Sequence, residues 1–358
     1  MLNQSWPFSL PPGNVPDPSP VPVNATEACP GAPFLGWMYM AQPIYIVLIC
    51  AVGMVGNAFV LLVLVLHRVS CTVAEIYLGN LAAADLLFVG CLPFWAANIV
   101  NGYNWPFGEF LCKSVSAVIY MNLFCSVYLL AMVSIDRYLA LVHTMTSGRT
   151  RSPACAKMTC LAIWAFGFLM STPVILFRTV MAKPEYNISA CLLRYPSEGW
   201  SLNLEILLLV FAFIVPGSII TFCSCQILQV LRNNTMRQFM QVRKETKSSK
   251  LVLLVLLMFF LCWLPFHFFT FLSILQKLGL IPGCRWEAVL ENGNQITTFL
   301  GFTNNCINPL LYVIVGKHFR KKAKEVFERS AARKRRKLNL ASSASSARTS
   351  IITLRNRV

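Results

Sequence analysis

A helix needs about 20 consecutive apolar residues to cross the hydrocarbon core of a bilayer. Seven stretches of this chain qualify without a single Asp, Glu, Lys or Arg: 41–66, 86–108, 114–135, 158–177, 206–231, 251–276 and 292–316. The second helix is expected to begin nearer Thr72, which places Asp85 inside it. Pro93, Pro173, Pro216, Pro265 and Pro309 fall within spans, where neighbouring helices, hydroxyls or water satisfy the carbonyls that proline frees. Only 13% of the 358 residues are charged, about half the share of a soluble domain, and mean hydropathy is +0.60. A cytosolic enzyme is thereby excluded. The expected fold is an all-α membrane protein, a seven-transmembrane helix bundle over 41–316, with an outer segment (1–40) and an inner segment (317–358). The spans show no matching halves of the kind that inverted-repeat transporters carry.

Charge sets the orientation. No Lys or Arg precedes Arg68, and with the N-terminus outside only Lys113, Arg178, Lys183, Arg194, Lys277 and Arg285 of the 31 basic residues fall on the outer face. That bias satisfies the positive-inside rule. The net charge of +17 therefore reports topology rather than nucleic-acid binding, and the run Arg333-Lys-Arg-Arg-Lys337 is expected at anionic lipid headgroups. The opening residues lack a basic patch and an apolar core, so no cleavable signal peptide is expected there. Sequons at Asn3, Asn24 and Asn187 lie on the outer, glycosylated side, whereas Asn233 faces the cytoplasm. Of the 14 cysteines, only Cys29, Cys112, Cys191 and Cys284 occupy outer segments. Four allow three pairings, and arithmetic alone does not choose among them. The scattered His67, His143, His267 and His318 offer neither metal spacing nor a nucleophile–base pattern.

Ionisable groups inside spans are costly and mark function by default. Asp85 is the clearest, with Asn57, Asn122, Ser126, Asn304 and Asn308 as polar company on other spans. They read either as an interhelical hydrogen-bond knot or as an oxygen-rich site for a hard cation such as sodium. Further patterns close particular spans: Asp136-Arg137-Tyr138 on the third, Cys262-Trp263-Leu-Pro265 on the sixth and Asn308-Pro309-Leu-Leu-Tyr312 on the seventh. With Asn57, Trp164 and Pro216 on the first, fourth and fifth, this order resembles the class A (rhodopsin-like) G-protein-coupled receptors from about Gln42 to Phe327. The runs from Cys71 to Asp85, Leu92 to Trp95, Ser134 to Val142, Gln229 to Asn234 and Tyr312 to Lys317 are similar to the kinin (bradykinin) receptors, the type-2 pattern more than the type-1.

The resemblance implies roles. Asp136 holds Arg137, Glu245 takes it as a second partner, and release of that clasp frees Arg137 for a G protein. Trp263 turns ligand contact into a tilt at Pro265, and Tyr312 stabilises the open state. Ser224 departs from the family where a Tyr often stands. Cys112 pairs with Cys191, and Cys29 with Cys284. No Lys stands in the seventh span for retinal, and Ile119 replaces the amine-binding Asp. Kinins carry Arg at their ends, so Glu291 and Glu287 are the expected anchors for a peptide guanidinium. Glu109, Glu198 and Glu205 read as solvated rim charges. Trp95, Tyr120, Trp263 and Phe266 are expected to line the floor. Ser273 and Tyr120 depart from the mammalian type-2 pattern, at an acid and a small hydroxyl respectively.

On the inner side, Arg320-Lys-Lys-Ala-Lys324 is expected on a short amphipathic helix, and no Cys follows Cys306 to carry a palmitoyl group. Ser342, Ser343, Ser345, Ser346, Thr349, Ser350 and Thr353 form a hydroxyl-rich tail, disordered by composition and a substrate for receptor kinases and arrestin. The resemblance thus implies a plasma-membrane kinin receptor with an extracellular N-terminus. Its implied partners are a kinin peptide, a Gq-type G protein (with a Gi-type as alternative) signalling through calcium and phosphoinositide, and membrane lipid. It has no cofactor beyond a sodium ion at Asp85. A receptor for another vasoactive peptide of the angiotensin-like group, or a seven-helix channel or transporter, are the competing readings.

Overall fold

A computed structural model describes residues 37–67, 71–142, 151–232, 240–281, 284–314 and 319–333, with 335, 336 and 339. The transmembrane helices are α1 (Trp37–Leu66), α2 (Val73–Val100), α3 (Gly108–Val142) and α4 (Pro153–Phe177). α5 runs through Glu198–Leu209, a π-helical turn Val210–Ile214 and Val215–Arg232. α6 (Met240–Lys277) and α7 (Cys284–Ile314) complete them. Residues 319–333 form α8. Six of the described helices are apolar enough to cross a membrane by composition alone. α7 is equally long, but its Asn294, Gln295, Asn304, Asn305 and Asn308 dilute the apolar signal.

Helix ends obey local chemistry. α2 begins at a capping box, in which Thr72 Oγ1 accepts from Glu75 N and the Glu75 carboxylate accepts from Thr72 N. Ser152 caps α4, with Pro153 in its first turn. The second span stops short of the expected Gly108, because Gly102 and Tyr103 adopt positive φ and end α2. Gly108 instead opens α3. α5 starts well before residue 206, so Glu198 and Glu205 are helical.

The connection read as an outer loop contains an antiparallel hairpin, β1 (Arg178–Lys183) and β2 (Ile188–Leu193), with Val180 opposite Cys191. A disulfide joins Cys191 to Cys112 on α3, the pairing that the resemblance implied. Trp105 N donates to Ser189 O at 2.7 Å and Ser189 N to Asn104 Oδ1 at 3.0 Å, tying the hairpin to the α2–α3 connection. Asn187 is exposed near the hairpin tip at φ 51°.

α3 is the axis of the bundle, with buried residues along its whole length. The other helices turn Val47, Val55, Val65, Met158, Leu161 and Phe168 outward, an exposed apolar belt that only hydrocarbon makes favourable. Inside, polar contacts link helices: Asn57 Nδ2 donates to Asn305 O at 2.8 Å, and Trp164 Nε1 to Asn80 Oδ1 at 3.0 Å. α8 lies against the inner ends of α1 and α2. Lys322 pairs with Glu75 at 2.6 Å, His67 with Glu325 at 3.2 Å, and Phe319 and Phe327 pack on Phe59. The His67 ring holds the Glu325 carboxyl below its usual range.

Close approach of α1 to α7 depends on glycine. A Cβ on Gly56 would sit 2.9 Å from the rigid Pro309 ring, whereas one on Gly90 meets nothing within 4 Å. Gly56→Ala should therefore lower the thermal midpoint of the purified protein. Gly90→Ala should leave it unchanged or raise it, since alanine favours a helix by about 1 kcal/mol. Equal shifts in a melting assay would contradict the packing at Gly56.

Candidate functional site

Three polar constellations stack along α3. At mid-membrane Asp85 is completely buried. Its Oδ1 accepts from Asn122 Nδ2 and Ser126 Oγ, both at 3.1 Å, and its Oδ2 from Asn308 Nδ2 at 3.4 Å. Asn122 also donates to Ser126 at 3.0 Å. Asn304, expected in the same set, is buried on α7 and, among the described residues, has no hydrogen-bond partner for either side-chain atom.

At the inner end, Asp136 is buried and engages two guanidinium groups. Arg137 reaches Oδ2 through Nε at 2.9 Å and more closely through Nη2, while Arg151 Nε reaches Oδ1 at 2.7 Å. Arg151 was not singled out in the sequence, where it is one basic residue among many on the inner side. The clue was its place directly before the α4 cap, on the face of the bundle that Asp136 occupies. Tyr138 meets the Phe222 ring edge-on at 5.7 Å. Glu245 lies on α6, but its side chain is outside the described residues, as is that of Tyr312 on α7.

The outer end holds a cluster of rings and charges. Trp263 packs edge-on against Phe266 at 5.9 Å, and a Cβ on Gly301 would lie only 2.8 Å from the Trp263 ring. α7 thus presses directly on that indole. Trp95 stacks obliquely on Trp105 at 5.4 Å, and the Arg178 guanidinium sits 5.1 Å above the Trp95 ring. That position is a cation–π contact. Of the residues expected at the floor, Trp95 and Phe266 are fully buried and Tyr120 is half-buried. Tyr120 lies within electrostatic range of Tyr195, Arg178 and Glu205.

Arg178 is 4% exposed. Burial pulls its pKa down to about 10, and the Tyr120 and Tyr195 hydroxyls act against that fall. It remains a cation at neutral pH. Lys277 on α6 donates to both Glu205 and Ser201 of α5. Among the described residues, the buried Glu205 Oε2 has no hydrogen-bond partner. The acid expected as a solvated rim charge is therefore helical and ion-paired. Glu109 stays a surface charge, paired with Lys113 four residues on at 2.7 Å. Ser273 bridges α6 and α7, accepting from Asn294 Nδ2 at 2.8 Å.

Glu287 and Glu291 occupy the outer part of α7, and Glu198 the start of α5. Their side chains are outside the described residues, as is that of Cys284. Cys29, Asn3, Asn24 and the tail positions Ser342, Ser343, Ser345, Ser346, Thr349, Ser350 and Thr353 also lie outside them.

The family described as 7 transmembrane receptor (rhodopsin family) matches residues 56–312. The chain belongs to the rhodopsin family of seven-transmembrane receptors. It is 47% identical over 307 residues to the B2 bradykinin receptor of Oryctolagus cuniculus, covering 85% of this chain and 84% of that protein. Against the B2 bradykinin receptor of Homo sapiens it is 46% identical over 306 residues, 85% of this chain and 78% of that one. The B1 bradykinin receptor of Chlorocebus aethiops is 44% identical over 311 residues, with shares of 86% and 88%. The receptor is accordingly a multi-pass protein of the plasma membrane. The three constellations are then the outer cluster, the polar core and the inner mouth of one receptor.

Proposed function

We propose that this receptor is opened by a kinin-like peptide with arginine at both ends and drives a Gq-type G protein, with a Gi-type as a second partner. The observation that carries the reading is a pair of opposite charges at the outer end, a buried Arg178 cation and the Glu205 carboxylate, both within electrostatic range of Tyr120. A C-terminal arginine carries both complementary charges. Its carboxylate suits Arg178, where guanidinium–carboxylate bonding is charge-assisted and can be bidentate. Its guanidinium suits the free oxygen of Glu205. The N-terminal arginine then falls to Glu291 and Glu287 on α7, and Tyr120 offers a ring face to peptide Phe and Pro. The likeness to B2 and B1 bradykinin receptors supports this choice of peptide.

Peptide contact on the floor would shift Trp263, which α7 confines at Gly301. The Pro265 kink converts that shift into an outward swing of the inner half of α6. Arg137 then leaves Asp136, and Glu245 on α6, for the G-protein terminus, and Tyr312 turns in behind it. Phosphoinositide and calcium signalling follow from Gq. The tail hydroxyls serve receptor kinases and arrestin, and the inner basic residues meet anionic lipid. Asp85, Ser126 and the unbonded Asn304 oxygen supply oxygen ligands that fit a sodium ion. When bound, such an ion would add positive charge beside Asp85 and favour the closed bundle.

Removing one partner of a desolvated charge pair costs about 2–5 kcal/mol, roughly 30-fold or more in affinity. Arg178→Gln should weaken bradykinin binding to that degree, yet add little to the loss caused by amidating the peptide C-terminus. Fully additive losses in competition binding would place the carboxylate elsewhere. Glu291→Gln should likewise be non-additive with citrulline in place of the N-terminal Arg. For the ion, added sodium should reduce agonist affinity in the wild type and have no such effect in Asp85→Asn. Equal sodium dependence in both proteins would remove the ion from Asp85.

A further inference from the structure

Asp136 lies at the inner mouth with a side chain only 1% exposed. Its two guanidinium partners divide the carboxylate between them. Arg137 bonds Oδ2, whereas Arg151 bonds Oδ1 at 2.7 Å and approaches Oδ2 only at 3.5 Å. Neither cation needs the oxygen that the other mainly uses, so one can leave while the other stays. The two also differ in how they are mounted. Arg137 belongs to α3 itself. Arg151 comes from the residue before the α4 cap, where Ser152 accepts from Cys155 N. α4 is fixed against α3 at close range: a Cβ on Gly167 would lie 2.7 Å from Cys125 Sγ. Trp164 fastens α4 to α2 as well. Arg151 is therefore carried by helices that have no part in the α6 swing.

This difference bears on the step in which Arg137 departs, and so rests on the receptor reading above. Withdrawing the sole counter-ion of a buried carboxylate leaves an uncompensated charge, which is strongly unfavourable. We propose that Arg151 is a positioning residue for G-protein coupling: it keeps Asp136 neutralised while Arg137 turns away, and so makes the open state accessible.

The test uses the full-length receptor in lipid nanodiscs with Gq, reading bradykinin-stimulated GTPγS exchange and, separately, bradykinin affinity without G protein. Arg151→Ala should cut stimulated exchange about tenfold or more while affinity without G protein stays near wild type. Arg151→Lys should retain most of the exchange, since it keeps a cation there. Asp136→Asn should restore exchange in the Arg151→Ala background, because the charge that needed neutralising is gone. A purely structural role for Arg151 would not be rescued in this way. If Arg151→Ala fails to bind peptide, Arg151→Gln makes the same charge removal with a longer side chain. Exchange equal to or above wild type in the charge-removing variant, or no rescue by Asp136→Asn, overturns the proposal. Absence of exchange in the wild type too would instead fault the receptor reading, so the two failures are distinguishable.

Discussion

A carboxylate fully enclosed at mid-membrane is the constraint around which the bundle is arranged. Asp85 is fully buried, and each of its oxygens accepts from a donor on another helix. α3 supplies Asn122 and Ser126, and α7 supplies Asn308. Those bonds set the rotation of three helices about their axes, and with it the direction in which their other residues face. The longest bond is the one to α7, the helix that also bears on Trp263. The polar core thus joins α2 to both α3 and α7 through one carboxylate.

The outer cluster and the inner mouth are both mounted on α3. Tyr120 on its outer part lies within electrostatic range of Arg178 and Glu205, and Asp136 and Arg137 stand at its inner end. The disulfide from Cys112 to Cys191 holds the hairpin, and thus Arg178 at its start, against the same helix. Charge at the ends and polarity in the middle share a single rod. Pro265 lies inside α6, two residues from Trp263.

Much of this was legible in the sequence, for a physical reason. Hydrocarbon forces helices, so the number of spans and their polar intruders could be read directly, and Asp85, Asn122, Ser126 and Asn308 do meet. Span ends were less legible. Gly102 and Tyr103 end α2 through backbone conformation, which apolar content does not report. The hairpin escaped notice because its residues sit between two spans and look like any outer loop. Arg178 and Arg151 escaped for a related reason. Each is one basic residue in a chain with 31, and only the fold reveals that one lies over Trp95 and the other beside Asp136. Glu205 reads as a rim charge when the fifth span is taken to begin at 206. α5 begins earlier, which makes that acid helical and pairs it with Lys277.

The charge pattern of the outer cluster and the shared axis of α3 amount to a claim that peptide binding outside and G-protein engagement inside are linked equilibria. Reciprocity then requires each to strengthen the other. The direct measurement is bradykinin affinity for the purified full-length receptor in nanodiscs, with and without nucleotide-free Gq. Saturable binding that tightens by about tenfold or more when Gq is present is the expected result, a coupling free energy of roughly 1.4 kcal/mol. Saturable binding with the same affinity in both conditions, or none at micromolar peptide, would contradict it.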